Sequence, residues 1–394
     1  MPALFLDAGN LFSDQNFTAN QLPADVITKN KWVVKGYGEF HQTAANISFN
    51  DLPYLASLLS NEGYEERVKE LPFINRLISA NVRPLDSQLH APGPYVIQNI
   101  KLMRGAAGKE LRIGIVGFTE PGPTGSNVIA GFQIDDPRAA AKRILPELKQ
   151  KADVIVALAY MPQEKAQQLA SENPEIDTII GAYKTTTQEQ PQHFGRATIT
   201  YAFDQTKALG ELRYYVKGDG SIENQVNRYI DLDAGIPDDL AAQQLVADAH
   251  TEFTNQQSSN AQLANTSTTL SANSPYVGSQ ACAACHQAEF DKWAQSGHAK
   301  AMATLERKGQ QFDNDCVKCH TVGFGQSGGF QSLMTTPQLA NVQCESCHGP
   351  GRQHVNAPAK GYGFMPTPVG CVQCHTKSNS PDFNFETYWP KVKH

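Results

Sequence analysis

Cysteine and histidine occur together in one repeated pattern in the last third of the chain. All eight cysteines belong to four Cys-x-x-Cys-His motifs, which are, in chain order, Cys282, Cys285 and His286; Cys316, Cys319 and His320; Cys344, Cys347 and His348; and Cys371, Cys374 and His375. Two thiols at this spacing can add to the two vinyl groups of one haem, and the histidine that follows can bind the iron. The pattern predicts four haem c groups, with the cysteines as thioether attachments and the four histidines as proximal iron ligands.

Three other kinds of site also use paired cysteines. Structural zinc would use the Cys-x-x-Cys pairs two at a time, which gives no reason for a histidine directly after each pair. A thioredoxin-like redox site predicts one motif beside a βαβ unit, and a disulfide framework predicts irregular spacings. The use of every cysteine in a single pattern favours haem over all three.

Four haem irons have eight axial positions, and the motif histidines fill four of them. The chain from residue 276 onward has three further histidines, His298, His354 and His394, which we predict as distal iron ligands. His298 follows the first motif on a helix-like segment, and His354 follows the third motif after a Gly-Pro-Gly turn. Each could therefore reach a haem other than the one attached to its neighbouring motif.

Composition indicates a globular chain with room for more than one domain. Its 394 residues are 18% charged and 40% hydrophobic, with a net charge of -6, so neither disorder nor a fibrous class is expected. The negative charge and the lack of a long basic run disfavour nucleic-acid binding. No apolar run is long enough for a membrane span. Covalent haem attachment takes place outside the cytoplasm, so we expect an exported, periplasmic or extracellular protein whose signal peptide is not in this sequence.

The composition changes near residue 255. Residues 254–275, TNQQSSNAQLANTSTTLSANSP, are polar and almost uncharged, and we interpret them as a linker. The linker separates a domain of residues 1–253, which has no cysteine, from a module of residues 276–394, which has all eight.

The first 253 residues alternate strand-like and helix-like runs. PALFLDAG, FINRLISANV, ELRIGIVGFT, ADVIVALAY and IDTIIGAY predict strands, and DPRAAAKRILPELKQKA predicts a helix capped by Asp135 or Asp136. Residues 194–222 predict antiparallel strands with a Gly-Asp-Gly turn at 218–220. This alternation is typical of an α/β domain.

The segments LFLDAGNLFS, ISANV, IGIVGFTEP, ADVIVALAYMP and IDTIIGAYKT resemble, in this order, the signature segments of 5'-nucleotidase-type metallophosphoesterases. The resemblance covers about residues 1–230 and implies a sandwich fold that holds two metals through Asp, Asn and His at strand ends. This chain keeps Asn46 but otherwise departs from the ligand pattern, with Asn10, Ile47, Tyr160, Ala182 and Lys184 at the ligand positions. Isoleucine and alanine cannot bind a metal, so we predict a degenerate, metal-free domain without phosphoesterase activity.

The segments YVGSQACAACHQAEFDKWAQSGHAKAM, NDCVKCHTVGFGQSGGF and VQCESCHGPGRQHV resemble the tetrahaem cytochrome c-554 family, beyond the haem motifs as well as within them. The resemblance implies a small, mainly α-helical multihaem module whose haems pack as closely spaced pairs. It also implies electron transport in redox metabolism, including the oxidation of nitrogen compounds.

The seven histidines of the module leave the eighth axial position without a predicted ligand. It could be open or water-bound, as the resemblance implies for one haem of that family. It could be filled by a methionine, Met302, Met334 or Met365, which would raise the potential of that haem. It could also be filled by a histidine from elsewhere in this chain or in a neighbouring subunit, namely His41, His90, His193 or His250.

Two functions follow from these predictions. In the first, the chain is an electron carrier without catalytic residues, and its partners are redox proteins. The first domain is then a scaffold for docking or assembly, and the assembly could be a homo-oligomer or a filament. In the second, one five-coordinate haem reduces or oxidises a small nitrogen compound and the other haems supply it with electrons. A catalytic haem usually needs a proton donor or a cation beside it. Nothing in the sequence assigns Lys300, Arg307, Lys318 or Arg352 to that role, so we favour the electron carrier.

Overall fold

The computed structural model describes residues 2–12, 22, 24–102, 110–122, 125–183, 190–202, 208–217, 221–233, 235–263, 270–376 and 379–394. The chain divides into two compact units, an N-terminal unit, Met1–Leu245, and a C-terminal unit, Val246–His394. Lys184 and the turn predicted at residues 218–220 lie outside the described residues.

The described part of the N-terminal unit has fourteen strands. They are β1 Leu6–Asp7, β2 Ala44–Asn46, β3 Leu77–Ile78, β4 Val82–Pro84, β5 Tyr95–Lys101, β6 Glu110–Thr119, β7 Val128–Ile129, β8 Phe132–Ile134, β9 Val154–Tyr160, β10 Thr178–Ala182, β11 Gln192–Phe194, β12 Ala197–Tyr201, β13 Ala208–Val216 and β14 Ile222–Asp231. Its main sheet has the order β11-β12-β10-β9-β6-β5, with four parallel central strands between two antiparallel edges. A parallel sheet has the order β1-β2-β3, and two antiparallel sheets have the orders β4-β8-β7 and β13-β14.

Helices cover the outer faces of the two parallel sheets. They are α1 Ala24–Glu39, α2 Leu52–Leu58, α3 Tyr64–Glu70, α4 Pro137–Lys151 and α5 Gln163–Glu172, with a 3₁₀ turn at Pro72–Arg76. Side chains of α4 and α5 pack on the main sheet, and side chains of α1 and α2 pack on the smaller one. Between the sheets, Ala44 and Ile78 pack against Ile115 of β6 and Val156 of β9. The result is a four-layer α/β/β/α sandwich, which confirms the predicted fold class.

Local sequence signals explain these elements. Strands β6 and β9 are nearly continuous apolar runs, and β9 is buried along its whole length, as expected for central strands with both faces covered. Asp136 caps α4 by accepting a hydrogen bond from Arg138 N at 2.9 Å, as predicted. The segments after Gln192 form antiparallel pairs, β11 with β12 and β13 with β14, as predicted.

The longest described helix, α6, Leu240–Leu263, enters the segment that the sequence analysis interpreted as a linker. Its start is fixed by Asp239, whose Oδ1 accepts hydrogen bonds from Ala241 N and Ala242 N. Alanine, glutamine and leucine, which have good helix propensity, predominate in its first turns, whereas residues 254–263 are rich in Thr, Asn and Ser, which have low helix propensity and do not indicate a helix. Residues 264–269 lie outside the described residues.

The C-terminal unit is built from short helices around the haem motifs. After α6 they are α7 Ser279–Ala283, α8 Gln287–Gln295, α9 Ala301–Lys308, α10 Asn314–His320, α11 Cys344–His348, α12 Arg352–Asn356, α13 Pro368–Cys371 and α14 Phe385–Tyr388, with 3₁₀ turns at His298–Lys300, Pro337–Leu339 and Trp389–Lys391. Its small apolar core contains Tyr276, Met302, Leu305, Val322 and Leu339. The predicted mainly helical module is confirmed. Across the described residues, no helix combines the length and apolarity that crossing a bilayer requires.

Candidate haem centre

Short helices hold the cysteines of each motif close together. Helix α10 contains both cysteines and the histidine of the second motif, and α11 contains those of the third. Residues three apart on a helix lie on the same face, so both thiols of a motif can reach one ring. None of the eight cysteines, all of which are described, is in a disulfide, so the sulfur atoms needed for covalent attachment are available. The four motifs fit haem c.

Three pairs of histidines face each other in the C-terminal unit. The ring centroids lie 6.2 Å apart for His286 and His354, 6.1 Å for His298 and His375, and 5.8 Å for His348 and His394. Two imidazoles bound to opposite sides of one metal have centroids about 6 Å apart, because each metal–nitrogen bond is about 2 Å and each centroid lies about 1 Å further out. The structure therefore places each predicted distal histidine opposite a motif histidine, at a separation that fits one iron.

Hydrogen bonds at Nδ1 orient several of these rings. Nδ1 lies 2.7 Å from Ala301 O in His320 and 2.8 Å from Phe364 O in His348. A carbonyl only accepts, so these contacts place the proton on Nδ1 and leave Nε2 as the metal-binding nitrogen. His375 Nδ1 contacts Ser380 Oγ at 3.1 Å. Ala359 N lies 3.5 Å from His354 Nδ1, too far to fix the protonation of that ring.

Aromatic rings pack against the histidines. Phe383 stacks on His375 at 4.5 Å, Tyr388 meets His375 edge-on at 5.8 Å, and Tyr362 stacks on His354 at 4.9 Å. These contacts restrict ring rotation, so the imidazoles are held near the orientation that ligation requires.

Burial keeps two of the facing imidazoles neutral. It is the main cause that lowers the pKa of His298, and nearby His375 and His320 lower it further. Burial also lowers the pKa of His375. A metal binds the neutral form of histidine, so both rings are in the ligating form at pH 7.

Thiols of different motifs meet in pairs. The pKa of Cys282 is raised, first by its hydrogen bond with Cys344 and then by burial, while the same hydrogen bond lowers the pKa of Cys344. Burial is the largest cause that raises the pKa of Cys374 to about 12, and the nearby thiol of Cys319 is the next largest. The first motif therefore lies against the third, and the second lies against the fourth.

His320 differs from the other motif histidines. Within the described part of the chain, no ring faces it in the way that the three pairs face each other. Its Nδ1 is bonded to Ala301 O. The next residue, Met302, is 3% exposed and packs in the small apolar core of the C-terminal unit.

The remaining candidates for the eighth axial ligand differ in exposure and location. Met334 and Met365 are 44% and 81% exposed. His250 packs against the backbone of Gly309, at the end of α9. His41, His90 and His193 belong to the N-terminal unit, where His90 stacks on Tyr64 at 3.7 Å.

Two buried polar residues beside Cys344 were not singled out from the sequence. Gln343 and Glu345 are 5% and 6% exposed, and both accept hydrogen bonds from backbone N–H groups that precede the first motif. Polar residues in a haem motif are ordinarily exposed, so nothing in the sequence indicated their burial.

Three of the described ligand positions of the N-terminal unit, Asn46, Ile47 and Tyr160, are buried. Tyr160 is 2% exposed and contacts the rings of Phe49 and Tyr183, and Ile47 is fully buried. Asn46 Nδ2 donates to Ala8 O at 3.1 Å and to Phe118 O at 2.9 Å. Within the described residues, no group of three or more His, Cys, Asp or Glu side chains is arranged to hold a metal ion.

Comparison with known proteins supports the interpretation of the C-terminal unit. The family model described as cytochrome c554 and c-prime matches residues 281–349. Cytochrome c-554 of Nitrosomonas europaea is 35% identical over 133 residues, which are 30% of this chain and 57% of that protein. The C-terminal unit is similar to cytochrome c-554. Both matches confirm the resemblance that the sequence predicted, and the chain spans little more than half the length of this relative.

Solved structures resemble the chain in fold. Sulfate thiohydrolase SoxB from Thermus thermophilus has a TM-score of 0.49 and 15% identity, covering 64% of this chain and 43% of that one. The 5'-nucleotidase precursor from Thermus thermophilus has a TM-score of 0.46 and 18% identity, covering 64% of this chain and 50% of that one. The NAD nucleotidase of Haemophilus influenzae has a TM-score of 0.46 and 16% identity, covering 63% of this chain and 51% of that one. Two of these three proteins are nucleotidases, the class of protein that the segments of residues 1–230 resemble.

Proposed function

We propose that this chain is a multihaem c-type cytochrome that carries electrons through four covalently bound haems. The observation that carries the proposal is the set of three histidine pairs with ring centroids 5.8 to 6.2 Å apart. An iron held by two protein imidazoles has the same ligands in both oxidation states, so little reorganisation accompanies electron transfer. We number the haems 1 to 4 in the chain order of their motifs.

The thiol contacts support an order for the electron path. Contact of Cys282 with Cys344 brings haems 1 and 3 together, and contact of Cys319 with Cys374 brings haems 2 and 4 together. Cys371 adds to the effect of burial in raising the pKa of Cys347, so the third motif also lies near the fourth. The proposed path therefore runs through haems 1, 3, 4 and 2.

The surroundings of His320 favour a second candidate function. With no ring opposite His320 in the described residues, haem 2 is the candidate for an open axial position. An open iron next to three electron-carrying haems could reduce or oxidise a small nitrogen compound. The chain would then be an enzyme whose other haems supply or remove electrons.

The N-terminal unit is proposed as a non-catalytic scaffold that docks redox proteins or assembles the chain into an oligomer or filament. Buried Ile47 and Tyr160 support the absence of phosphoesterase activity, because neither leaves room or donors for a metal pair. Haem attachment supports a periplasmic or extracellular location.

Mass spectrometry and optical spectroscopy of the purified holoprotein test these proposals. Four covalent haems and a reduced spectrum unaffected by carbon monoxide would support the electron carrier with all irons six-coordinate. A carbon monoxide shift in about one quarter of the haem would support an open haem 2 and the second function. Fewer than four haems in a fully matured sample would contradict the proposal.

A further inference from the structure

Glu345 is a buried carboxylate inside the third haem motif. Its Oε1 accepts hydrogen bonds from Val277 N at 3.0 Å and Gly351 N at 2.6 Å, and its Oε2 accepts from Gly278 N at 2.8 Å and Val277 N at 3.2 Å. Every one of these partners is a donor, so the site is built for the acceptor-only, ionised carboxylate. The fit is close, because a Cβ on residue 351 would lie 3.1 Å from Oε1.

No cation neutralises this carboxylate in the part of the chain that the structure describes. Arg352, the nearest basic residue along the chain, instead donates to Ser274 O at 3.0 Å and to Tyr276 O at 3.2 Å. Backbone amides stabilise the charge of Glu345 without cancelling it, so a net negative charge remains within the fold.

Glu345 lies beside the attachment points of two haems. It directly follows Cys344 of the third motif. Its contacts with Val277 N and Gly278 N place it at the start of α7, which contains Cys282 of the first motif. The same carboxylate therefore lies close to one cysteine of the first motif and one cysteine of the third.

Gln343 offers a neutral comparison at the same place. Its Oε1 accepts from Ser279 N at 2.6 Å, and its Nε2 donates to Gln338 O at 2.8 Å and Ala340 O at 2.6 Å. Gln343 and Glu345 thus hold the same segment, residues 277–279, against the third motif. They differ in charge, so their roles in holding the fold and in setting the electrostatics are separable.

We propose that Glu345 is a redox-tuning residue, a buried carboxylate surrounded by backbone N–H donors that lowers the reduction potentials of haems 1 and 3 relative to haems 2 and 4. A negative charge near an iron stabilises the oxidised, more positive state, and it acts strongly where water is excluded. The proposal rests on the proposed multihaem function. It gives direction to the path, because electrons then pass from haems 1 and 3 towards haems 4 and 2.

A redox titration of the holoprotein, followed optically, tests the proposal with three variants. Glu345→Gln removes the charge, Glu345→Asp keeps it with weaker hydrogen bonds, and Gln343→Ala loosens the same segment without a change in charge. We expect Glu345→Gln to shift two of the four midpoint potentials upward and to leave the other two in place. We expect Glu345→Asp and Gln343→Ala to keep all four near those of the unmodified protein.

Several results would overturn the proposal. One is a Glu345→Gln protein that carries four haems and has all four midpoint potentials unchanged. Another is a Glu345→Gln protein in which all four midpoint potentials shift. The third is a Gln343→Ala protein whose midpoint potentials shift as much as those of Glu345→Gln. If Glu345→Gln does not mature, the other two variants decide, because a purely structural role predicts that both move the midpoints of haems 1 and 3, whereas the charge-based role predicts that neither does. The number of haems in the unmodified protein distinguishes failure of this proposal from failure of the proposed function, because a count below four contradicts the proposed function itself.

Discussion

Replacement of His298 by alanine tests the proposed pairing of iron ligands. The ring of His298 lies 6.1 Å from that of His375, and burial lowers the pKa of both, so both are neutral at pH 7. With His298 bound, haem 4 has two imidazole ligands and no room for carbon monoxide. Without His298, the reduced iron keeps His375 alone and can bind carbon monoxide on the opposite side.

The size of the effect follows from the number of haems. If haem 2 is open, about one quarter of the reduced haem binds carbon monoxide in the unmodified protein, and the substitution raises this to about one half. If haem 2 is closed, the fraction rises from zero to about one quarter instead. Either way, the change equals one haem.

The assay compares dithionite-reduced spectra with and without carbon monoxide, after mass spectrometry has shown four attached haems. His298→Met is the first control, because a thioether can replace the imidazole, and we expect it to raise one midpoint potential with little gain in carbon monoxide binding. Arg112→Ala is the second control. This arginine belongs to the N-terminal unit, where its Nη2 lies 2.8 Å from Asp153 Oδ1.

An unchanged fraction in His298→Ala, with four haems present, would refute the reasoning. It would mean that the observed ring separation does not reflect a shared iron. A similar gain in Arg112→Ala would point instead to a general loosening of the protein.

Two further predictions concern stability. Gly329→Ala should impair maturation or protease resistance of the C-terminal unit, because the new Cβ would lie 1.8 Å from Gly323 O. Gly370→Ala is the control, because its new Cβ would have no atom within 4 Å, and it should have little effect in the same proteolysis assay. Burial raises the pKa of Asp51 from 3.8 to about 6, so the folded N-terminal unit binds this proton more tightly than the unfolded chain does. Its stabilising effect is fully present below about pH 4 and is lost as the pH rises through about 6, a loss of about 3 kcal/mol. Urea unfolding between pH 4 and 7 should show this loss, and Asp51→Asn should remove it.

Sequence patterns predicted those parts of the fold that depend on local chemistry. The apolar runs of β6 and β9, the Asp136 cap and the antiparallel pairs after Gln192 each arise from a few neighbouring residues. Helix α6 was not predicted to continue past residue 253, because residues 254–263 are rich in Thr, Asn and Ser, which have low helix propensity, and the helix reaches them by propagation from its first turns.

The haem motifs and the distal candidates could be identified from residue type and count, but their pairing could not. His298 lies closest along the chain to the first motif, yet it faces the histidine of the fourth. The burial of Glu345 could not be predicted from the sequence either, because it depends on residues 277, 278 and 351 approaching the third motif in space. Such contacts depend on tertiary structure and not on spacing.

The three histidine pairs explain how so small an apolar core can hold the C-terminal unit together. Each pair joins segments that are far apart in the chain: His286 with His354, His298 with His375, and His348 with His394. If each pair shares an iron, every such iron closes a long loop, which removes conformational freedom from the unfolded chain much as a cross-link does. Loss of haem 4 should then release the segment around His298 as well as the fourth motif. The haems would thus stabilise the fold through the same bonds that keep their irons six-coordinate for electron transfer.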